Sequence, residues 1–146
     1  MRSIRTEIII NASKEQVWQQ LTAFSQYKLW NPFIVEVQGE AVAGTRLRNT
    51  LRSGNKNIVF KPRLLEVEPT RKLTWLGHLF IKGLFDGKHF FQIEELGPNQ
   101  VKFIHGEEFT GILSNMILNK IGDETRENFV KMNEAIKERA EKGERI

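Results

Sequence analysis

The spacing of apolar residues changes period along this chain, and the change limits the folds available to it. From Phe33 to Thr110, apolar residues tend to recur at every second position, which is typical of strands with one buried face. After Gly111 they recur at intervals of three and four, which is typical of an amphipathic helix. The pattern therefore predicts a sheet followed by one long helix over Leu113–Ala140. Its predicted apolar stripe is Leu113, Ile117, Ile121, Thr125, Phe129, Met132, Ile136 and Ala140.

The N-terminal part predicts one strand and two short helices. Arg2–Ile10 is rich in isoleucine and predicts the strand. Ser13 and Gln16 have the spacing of a capping box, so a helix is predicted to begin directly after Ser13. Phe24–Trp30 predicts a second short helix. It ends at Asn31-Pro32, because the residue before a proline is disfavoured in a helix.

Six further strands are predicted between Phe33 and Thr110, and short turns join them, so the sheet should be antiparallel. Pro62 cannot donate to a strand ladder, so a bulge or a local edge is predicted there. The apolar face of the sheet must be covered, and the C-terminal helix is the one large amphipathic partner. A bent sheet around one helix leaves space between them, which predicts a pocket. The strands are Phe33–Gln38, Thr45–Arg52, Asn57–Val67, Lys72–Phe80 and the two strands of the Phe85–Thr110 hairpin.

Composition excludes several classes of function. The 146 residues suffice for a single domain, 1–146, and contain no cysteine, which excludes disulfides, thiolate catalysis and cysteine-ligated metals. No apolar run is long enough to span a bilayer, so no integral membrane association is predicted. Met1–Ile10 lacks the features of a signal peptide, and a cytoplasmic location is therefore expected. No cofactor or metal site is predicted, and nothing in the sequence sets the oligomeric state.

The net charge of +4 arises largely from the segment between Arg46 and Lys72. Such a basic segment can bind nucleic acid or an anionic membrane surface. However, Arg46, Arg48 and Arg52 share the outward face of one predicted strand, and no nucleic-acid-binding motif accompanies them. The pattern therefore favours a solvated face, and no nucleic-acid partner is predicted.

The hairpin from Phe85 to Thr110 carries ionisable residues on the face that holds its aromatic residues. Alternate residues of a strand share a face, so His89 lies on the same face as Phe91. In the second strand, His105 and Glu107 share the aromatic face in the same way. A buried ionisable group costs several kcal/mol unless it is paired or hydrated. The pattern predicts a polar region inside an apolar cavity.

The loop of this hairpin predicts which polar residues meet. A three-residue loop at Gly97-Pro98-Asn99 places His89 opposite Glu107 and Phe91 opposite His105. Directly opposed residues have Cβ atoms about 4.5–5.5 Å apart, within reach of a side-chain hydrogen bond. A register shifted by two residues would pair the two histidines instead. In either register the three ionisable groups cluster.

Motifs along nearly the whole chain resemble the START/Bet v 1-like (SRPBCC) superfamily, specifically its polyketide cyclase/dehydrase and lipid-transport group. The resemblance implies an α+β helix-grip fold, in which a curved antiparallel sheet of about seven strands wraps around the long C-terminal helix. Two short helices would lie between strands 1 and 2. The cavity would lie between the sheet and the long helix. Such families include lipid carriers, cyclases and hormone receptors, so the resemblance assigns no catalytic residue. The matching stretches are Ile10–Trp18, Tyr27 with Trp30–Phe33, Pro62 with Leu65–Pro69, Leu73–Trp75, Glu108–Gly111 and Met132–Glu141.

Three interpretations of the ionisable cluster are open. His89 and Glu107 could satisfy each other at a wet strand end. They could instead orient the polar group of a ligand whose apolar part contacts the surrounding aromatic residues. Finally, His89, His105 or Glu107 could act as an acid or base in catalysis, or the three could hold zinc, although their spacing is not a known metal motif.

These interpretations lead to three candidate functions. The leading one is the binding of a small hydrophobic molecule, which could serve its transport or its sequestration. The second is a cyclase or dehydratase acting on a polyketide-like or aromatic substrate, and the third is a lipid carrier that docks on an anionic membrane or a partner. Asn49 is a further candidate anchor, Tyr27 a candidate hydroxyl at the pocket mouth, and His78 a surface residue. The predicted ligand-binding residues are Phe60, Trp75, His89, Phe91, Phe103, His105, Glu107, Ile117, Ile121 and Phe129.

Overall fold

A computed structural model describes residues 2–79 and 81–143, and it has the α+β architecture that the sequence predicts. The described residues form eight strands, three α-helices and one 3-10 turn. The strands are β1 (Arg2–Ile10), β2 (Ile34–Gln38), β3 (Arg48–Ser53), β4 (Lys56–Phe60), β5 (Arg63–Glu68), β6 (Lys72–Leu79), β7 (Phe85–Gly97) and β8 (Gln100–Thr110). The helices are α1 (Lys14–Thr22), α2 (Tyr27–Trp30) and α3 (Ser114–Glu141), and the 3-10 turn is Phe24–Gln26.

The strands form two antiparallel sheets. One has the order β1-β8-β7-β6-β5, and the other has the order β2-β3-β4. Eight strands replace the seven predicted because the predicted strand Asn57–Val67 divides at Pro62 into β4 and β5. Pro62 has no N–H to donate, and its carbonyl accepts a hydrogen bond of 2.8 Å from the Leu47 N–H. The predicted irregularity at Pro62 is therefore the point where the chain passes from one sheet to the other. Phe80, the predicted end of β6, lies outside the described residues.

The register predicted for the β7–β8 hairpin is confirmed. His89 lies opposite Glu107, and Phe91 lies opposite His105. The loop differs in detail, because a bulge at Leu96 leaves Gly97 paired with Gln100. The extra residue in the bulge compensates for the shorter loop, so the pairing of the functional residues is unchanged.

The short helices form as predicted and fill one end of the molecule. Ser13 and Gln16 form the complete capping box at the start of α1. Tyr27 is fully buried in α2, and its hydroxyl donates a hydrogen bond to the Leu21 carbonyl. Burial raises the pKa of the Tyr27 hydroxyl well above its ordinary value. The prediction that Tyr27 offers a hydroxyl at the pocket mouth is therefore wrong.

Helix α3 begins and ends within one residue of its predicted bounds, but its two halves pack differently. In the C-terminal half, Phe129, Met132 and Ile136 are fully buried against the sheet and α1. In the N-terminal half, the predicted stripe residue Ile121 is 40% exposed, and Leu118 is the buried apolar side chain. None of the described helices is long and apolar enough to cross a membrane.

Gly106 allows β8 to lie close to its neighbours, and we expect Gly106→Ala to destabilise the fold. A Cβ atom there would lie 2.4 Å from the ring of Phe90 and 2.5 Å from the carbonyl oxygen of Ile4. Overpacking of this kind costs about 1–3 kcal/mol of unfolding free energy, measurable by urea denaturation. Gly97→Ala is the control, since nothing lies within 4 Å of a Cβ atom at that position. Equal losses in the two variants would contradict this packing.

Candidate functional site

A cavity of about 180 Å³ lies between the two sheets and the N-terminal half of α3. Its walls are mostly apolar, and residues of β3, β4, β6, β7, β8 and α3 contribute to them. The Ser53 hydroxyl of β3 donates a hydrogen bond of 2.8 Å to the Glu124 carboxylate of α3, joining two walls. The apolar lining residues are Phe33, Ile34, Leu51, Ile58, Phe60, Pro62, Trp75, Phe85, Phe109 and Ile121.

The cavity lies where α3 leaves the sheet uncovered. Ile121, Thr125 and Asn128 of α3 line it from one side. These residues occupy the half of the helix whose predicted stripe is only partly buried. Ile121 of that half therefore lines the cavity, whereas Leu118 packs into the core.

His89 and Glu107 form a polar group on the cavity wall. The His89 Nδ1 atom lies 3.2 Å from the Glu107 Oε1 atom. The side chain of His89 is 6% exposed and that of Glu107 is 20% exposed. The alternative of a wet strand end therefore does not hold for His89. Glu107 is the member of the pair that a molecule in the cavity can reach most readily.

A chain of hydrogen bonds continues from His89 into the core. The Nε2 atoms of His89 and His105 lie 2.7 Å apart, and the His105 Nδ1 atom lies 2.9 Å from Asn133 Oδ1. The Asn133 amide nitrogen donates to the Thr6 hydroxyl oxygen at 2.8 Å. The Thr6 hydroxyl donates to the backbone carbonyl of His105, also at 2.8 Å. The chain thus runs from the cavity wall through β7 and β8 to α3 and β1.

Aromatic rings enclose both histidines. The His89 ring stacks on Trp75 with centroids 5.1 Å apart, and the His105 ring stacks on Phe129 at 4.3 Å. His105 is fully buried. Desolvation by burial, together with the nearby His89, holds the pKa of His105 well below its ordinary value. His105 is therefore a neutral imidazole at physiological pH.

Asn49 supplies a second polar atom at the cavity. It lies on β3, in the other sheet from Glu107, and is 2% exposed. Its Oδ1 atom has no hydrogen-bond partner within the described protein. Buried polar atoms normally have partners. The Oδ1 atom is itself buried, so a molecule in the cavity can donate to it only when the Asn49 side chain turns towards the cavity.

The predicted ligand-binding residues divide into two layers. Five line the cavity, namely Phe60, Trp75, His89, Glu107 and Ile121. The other five, Phe91, Phe103, His105, Ile117 and Phe129, do not line it, and four of these are fully buried behind its wall. His78, predicted at the surface, also lines the cavity, and its Nδ1 atom lies 2.8 Å from the Asp86 carboxylate.

Sequence reasoning missed Thr6 and Asn133, although both had a detectable signal. Thr6 is a polar residue in the inward series of β1, between Ile4 and Ile8. Asn133 lies four residues after Phe129, so it shares the buried face of α3. A polar residue at a position of this kind indicates a buried hydrogen bond.

Glu107 has room in the cavity wall because residue 87 has no side chain. A Cβ atom at Gly87 would lie 2.0 Å from the Glu107 Oε2 atom. Gly77 lies directly opposite Gly87 on β6 and also lines the cavity. A Cβ atom at Gly77 would make only an ordinary contact of 3.7 Å with Pro62.

The described residues contain no cluster suited to a metal ion. The nitrogen atoms of His89 lie within hydrogen-bond distance of Glu107 and His105, so the three groups form a chain and do not converge on one point. The zinc alternative is therefore not supported by the geometry.

Solved structures share this fold at low sequence identity. The Zhui aromatase/cyclase from a Streptomyces species is 13% identical with a TM-score of 0.81, covering 97% of this chain and 94% of that one. A START superfamily protein from Mycobacterium smegmatis is 19% identical with a TM-score of 0.72, covering 96% and 97%. A hypothetical protein from Helicobacter pylori is 14% identical with a TM-score of 0.80, covering 95% and 88%. These likenesses concern the fold.

No curated protein matches the chain in sequence. A family model described as polyketide cyclase / dehydrase and lipid transport matches residues 1–142. This match covers nearly the whole chain and agrees with the START-like fold described above. The chain therefore belongs to the polyketide cyclase / dehydrase and lipid transport family.

Proposed function

We propose that the protein binds a small, uncharged and mostly apolar molecule in the cavity. A hydroxyl or similar donor of that molecule hydrogen-bonds to Glu107 or Asn49. The observation that carries the proposal is a mostly apolar cavity wall that holds the Glu107 carboxyl group and Asn49, whose buried Oδ1 atom has no partner in the described protein. Apolar walls with a few polar anchors are typical of ligand pockets.

The size of the cavity supports a compact ligand. Its volume is about 180 Å³, whereas pockets for drug-sized ligands measure about 300–1,000 Å³. An apolar cavity of about 150 Å³ in another protein binds benzene. The cavity therefore suits a molecule of one or two rings. A longer polyketide or lipid would require the N-terminal half of α3 to move outward.

The charge of the lining supports an uncharged ligand. None of the described residues that line the cavity is Lys or Arg. A ligand carboxylate or phosphate would lose its hydration without gaining a cationic partner, and it would lie near the Glu107 carboxyl group. Free fatty acids and phospholipid headgroups are therefore poorer candidates than alcohols, phenols or amides.

Proposed contacts follow from the two layers of residues. Asn49 and Glu107 would accept the hydrogen bonds of the ligand, and Phe60, Trp75 and Ile121 would contact its apolar part. His89 would orient Glu107. The remaining predicted residues, Phe91, Phe103, His105, Ile117 and Phe129, would support this wall from behind.

The test of the proposal compares naphthol with naphthoate, which differ in charge but have similar size. We expect naphthol to bind at least about tenfold more tightly, because one buried hydrogen bond to a charged group contributes about 1.5–3 kcal/mol. Fluorescence titration measures both affinities, and Asn49→Leu together with Glu107→Leu should weaken the binding of naphthol. Tighter binding of naphthoate, or binding of naphthol that the double variant leaves unchanged, would contradict the proposal.

Gly87→Ala tests the role of Glu107 without removing its carboxylate. The added methyl group must displace the Oε2 atom, which lies at the end of a flexible side chain, so we expect a loss of naphthol affinity with little loss of stability. Gly77→Ala is the matched control, because it adds the same methyl group to the same cavity and contacts only Pro62. Titration should give a loss of about tenfold in the first variant and a smaller change in the second. Equal losses would show that cavity volume, and not the position of Glu107, determines binding.

A second candidate function is acid–base catalysis of a cyclisation or a dehydration. The observation that favours it is the contact of 3.2 Å between His89 and Glu107 at the cavity wall. Of the candidates His89, His105 and Glu107, Glu107 would exchange the proton with a substrate, because His105 does not line the cavity and the side chain of Glu107 is more exposed than that of His89. His89 would hold the proton while Glu107 is ionised.

A β-hydroxyketone made from benzaldehyde and acetone provides a test of catalysis, because its loss of water gives a conjugated enone that absorbs strongly. We expect the wild-type protein to accelerate this dehydration and Glu107→Gln to lower the rate by about 10²-fold or more. Gly77→Ala should keep most of the activity. Equal rates with wild-type protein and Glu107→Gln would exclude Glu107 as the acid or base.

The third candidate, docking on an anionic membrane through the basic segment between Arg46 and Lys72, receives less support. The Arg46 and Arg63 guanidinium groups each donate a hydrogen bond of 2.9 Å to a backbone carbonyl, of Lys61 and Gly44 respectively. Lys72 forms an ion pair with Glu66 at 3.3 Å. These three cations therefore have structural partners in this part of the protein.

A further inference from the structure

We infer that Thr6 and Asn133 are positioning residues that fix the proton positions of both buried histidines, so that His89 and Glu107 share one proton at the cavity wall. The inference follows from the hydrogen-bonding capacity of each group along the chain, beginning at a backbone carbonyl. Its consequence for a bound molecule rests on the proposed function, but the proton arrangement itself does not.

The backbone carbonyl of His105 sets the direction of the chain. It has no proton, and it lies 2.8 Å from the Thr6 hydroxyl oxygen, so the hydroxyl proton must lie between these two oxygens. The Thr6 oxygen then has only lone pairs to offer on its other side. The group of Asn133 that lies 2.8 Å away must therefore be its amide nitrogen. This orients the Asn133 oxygen towards His105.

The orientation of Asn133 fixes the tautomer of His105. Its oxygen only accepts hydrogen bonds, so the His105 Nδ1 atom at 2.9 Å must carry a proton. The ring is fully buried and contacts Phe91, Phe103 and Phe129. Such surroundings keep an imidazole neutral, and its low pKa has the same cause. The Nε2 atom of His105 therefore carries no proton and acts as an acceptor.

The tautomer of His105 in turn fixes His89. The two Nε2 atoms lie 2.7 Å apart, so the proton between them must belong to His89. The hydrogen bonds described so far do not fix the protonation of the His89 Nδ1 atom, which lies 3.2 Å from the Glu107 Oε1 atom. One proton must lie there, either on His89 with Glu107 ionised or on Glu107 with His89 neutral. With no proton on the Oε2 atom of Glu107, neither a proton on both facing atoms nor a proton on neither allows a hydrogen bond.

Both arrangements leave the pair with no net charge. The groups that face His89 from other elements are Trp75 of β6 and Phe129 of α3, which are uncharged. From β8 it faces Glu107 and neutral His105. A molecule in the cavity would therefore meet a polar pair that can present either a carboxylate or a carboxylic acid without a change in total charge. This matches an uncharged, hydrogen-bonding ligand.

Nitrogen-15 NMR of the histidine rings tests the inference without any ligand, because protonated and bare ring nitrogens have distinct chemical shifts. The chain has three histidines, so His78→Gln and His105→Gln suffice for the assignment. We expect His105 to show a protonated Nδ1 and a bare Nε2, and His89 to show a protonated Nε2. The reverse tautomer of His105, or a doubly protonated His105 near neutral pH, would overturn the inference.

Thr6→Val and Thr6→Ser test the positioning role. Valine has the shape of threonine without the hydroxyl, so the Asn133 amide is released and the preference of His105 for a proton on Nδ1 should weaken, with the Phe129 backbone as the remaining acceptor. Serine keeps the hydroxyl and should keep the tautomer. Should Thr6→Val fail to fold, Asn133→Leu removes the Oδ1 acceptor of the His105 Nδ1 proton and should have the same effect on the tautomer. Unchanged tautomers in a folded Thr6→Val or Asn133→Leu variant would overturn the positioning role.

Glu107→Gln separates the inference from the proposed function. Its amide can donate to the bare Nδ1 atom of His89, so we expect His89 to become a fixed neutral ring with its proton on Nε2. A His89 ring that stays doubly protonated in this variant would overturn the shared proton. Naphthol binding is measured separately, so a protein with these tautomers and no affinity for naphthol would refute the proposed function alone.

Discussion

The architecture depends on incomplete coverage of the sheet by α3. One helix must close the apolar face of two sheets that diverge at Pro62, and it packs into the core mainly through Phe129, Met132 and Ile136 of its C-terminal half. The N-terminal half spans the gap, where Ile121 and Thr125 line a cavity. Close packing is the rule inside proteins, and this partly open space is where α3 and the two sheets depart from it.

The second constraint is the cost of placing polar groups in that core. An unsatisfied buried polar group destabilises a protein by about 1–3 kcal/mol. The chain from Glu107 to Thr6 avoids this cost, because each member has a partner at 2.7–3.2 Å. Asn49 is different, since its Oδ1 atom has no protein partner. Among the polar groups that line the cavity, His89 and Glu107 have partners and the Asn49 Oδ1 atom does not.

Much of the fold follows from local sequence signals. The change of period at Gly111 predicts α3, the Ser13–Gln16 spacing predicts α1, and loop counting predicts the pairing of His89 with Glu107. The split at Pro62 was predicted only as an irregularity, because a missing N–H shows where a ladder stops and not where the next strand pairs. The number of strands therefore required the tertiary structure.

The site was less predictable than the fold. Alternation along a strand shows that His105 and Phe91 face inward, but it cannot show whether they line a cavity or lie behind its wall. That difference depends on where α3 leaves the sheet, which is a long-range property of packing. Thr6 and Asn133 are far apart in sequence, and only the contact between β1 and α3 brings them together.

The proposed function requires that the cavity is a binding site with polar anchors at Glu107 and Asn49. A crystal structure of the protein with bound naphthol tests it most directly. The predicted result is a naphthol ring in the cavity against Trp75 or Phe60, with its oxygen within hydrogen-bond distance of the Glu107 carboxyl group or Asn49 Oδ1. Naphthol bound outside the cavity, or bound inside with its oxygen against the apolar wall, would contradict the claim.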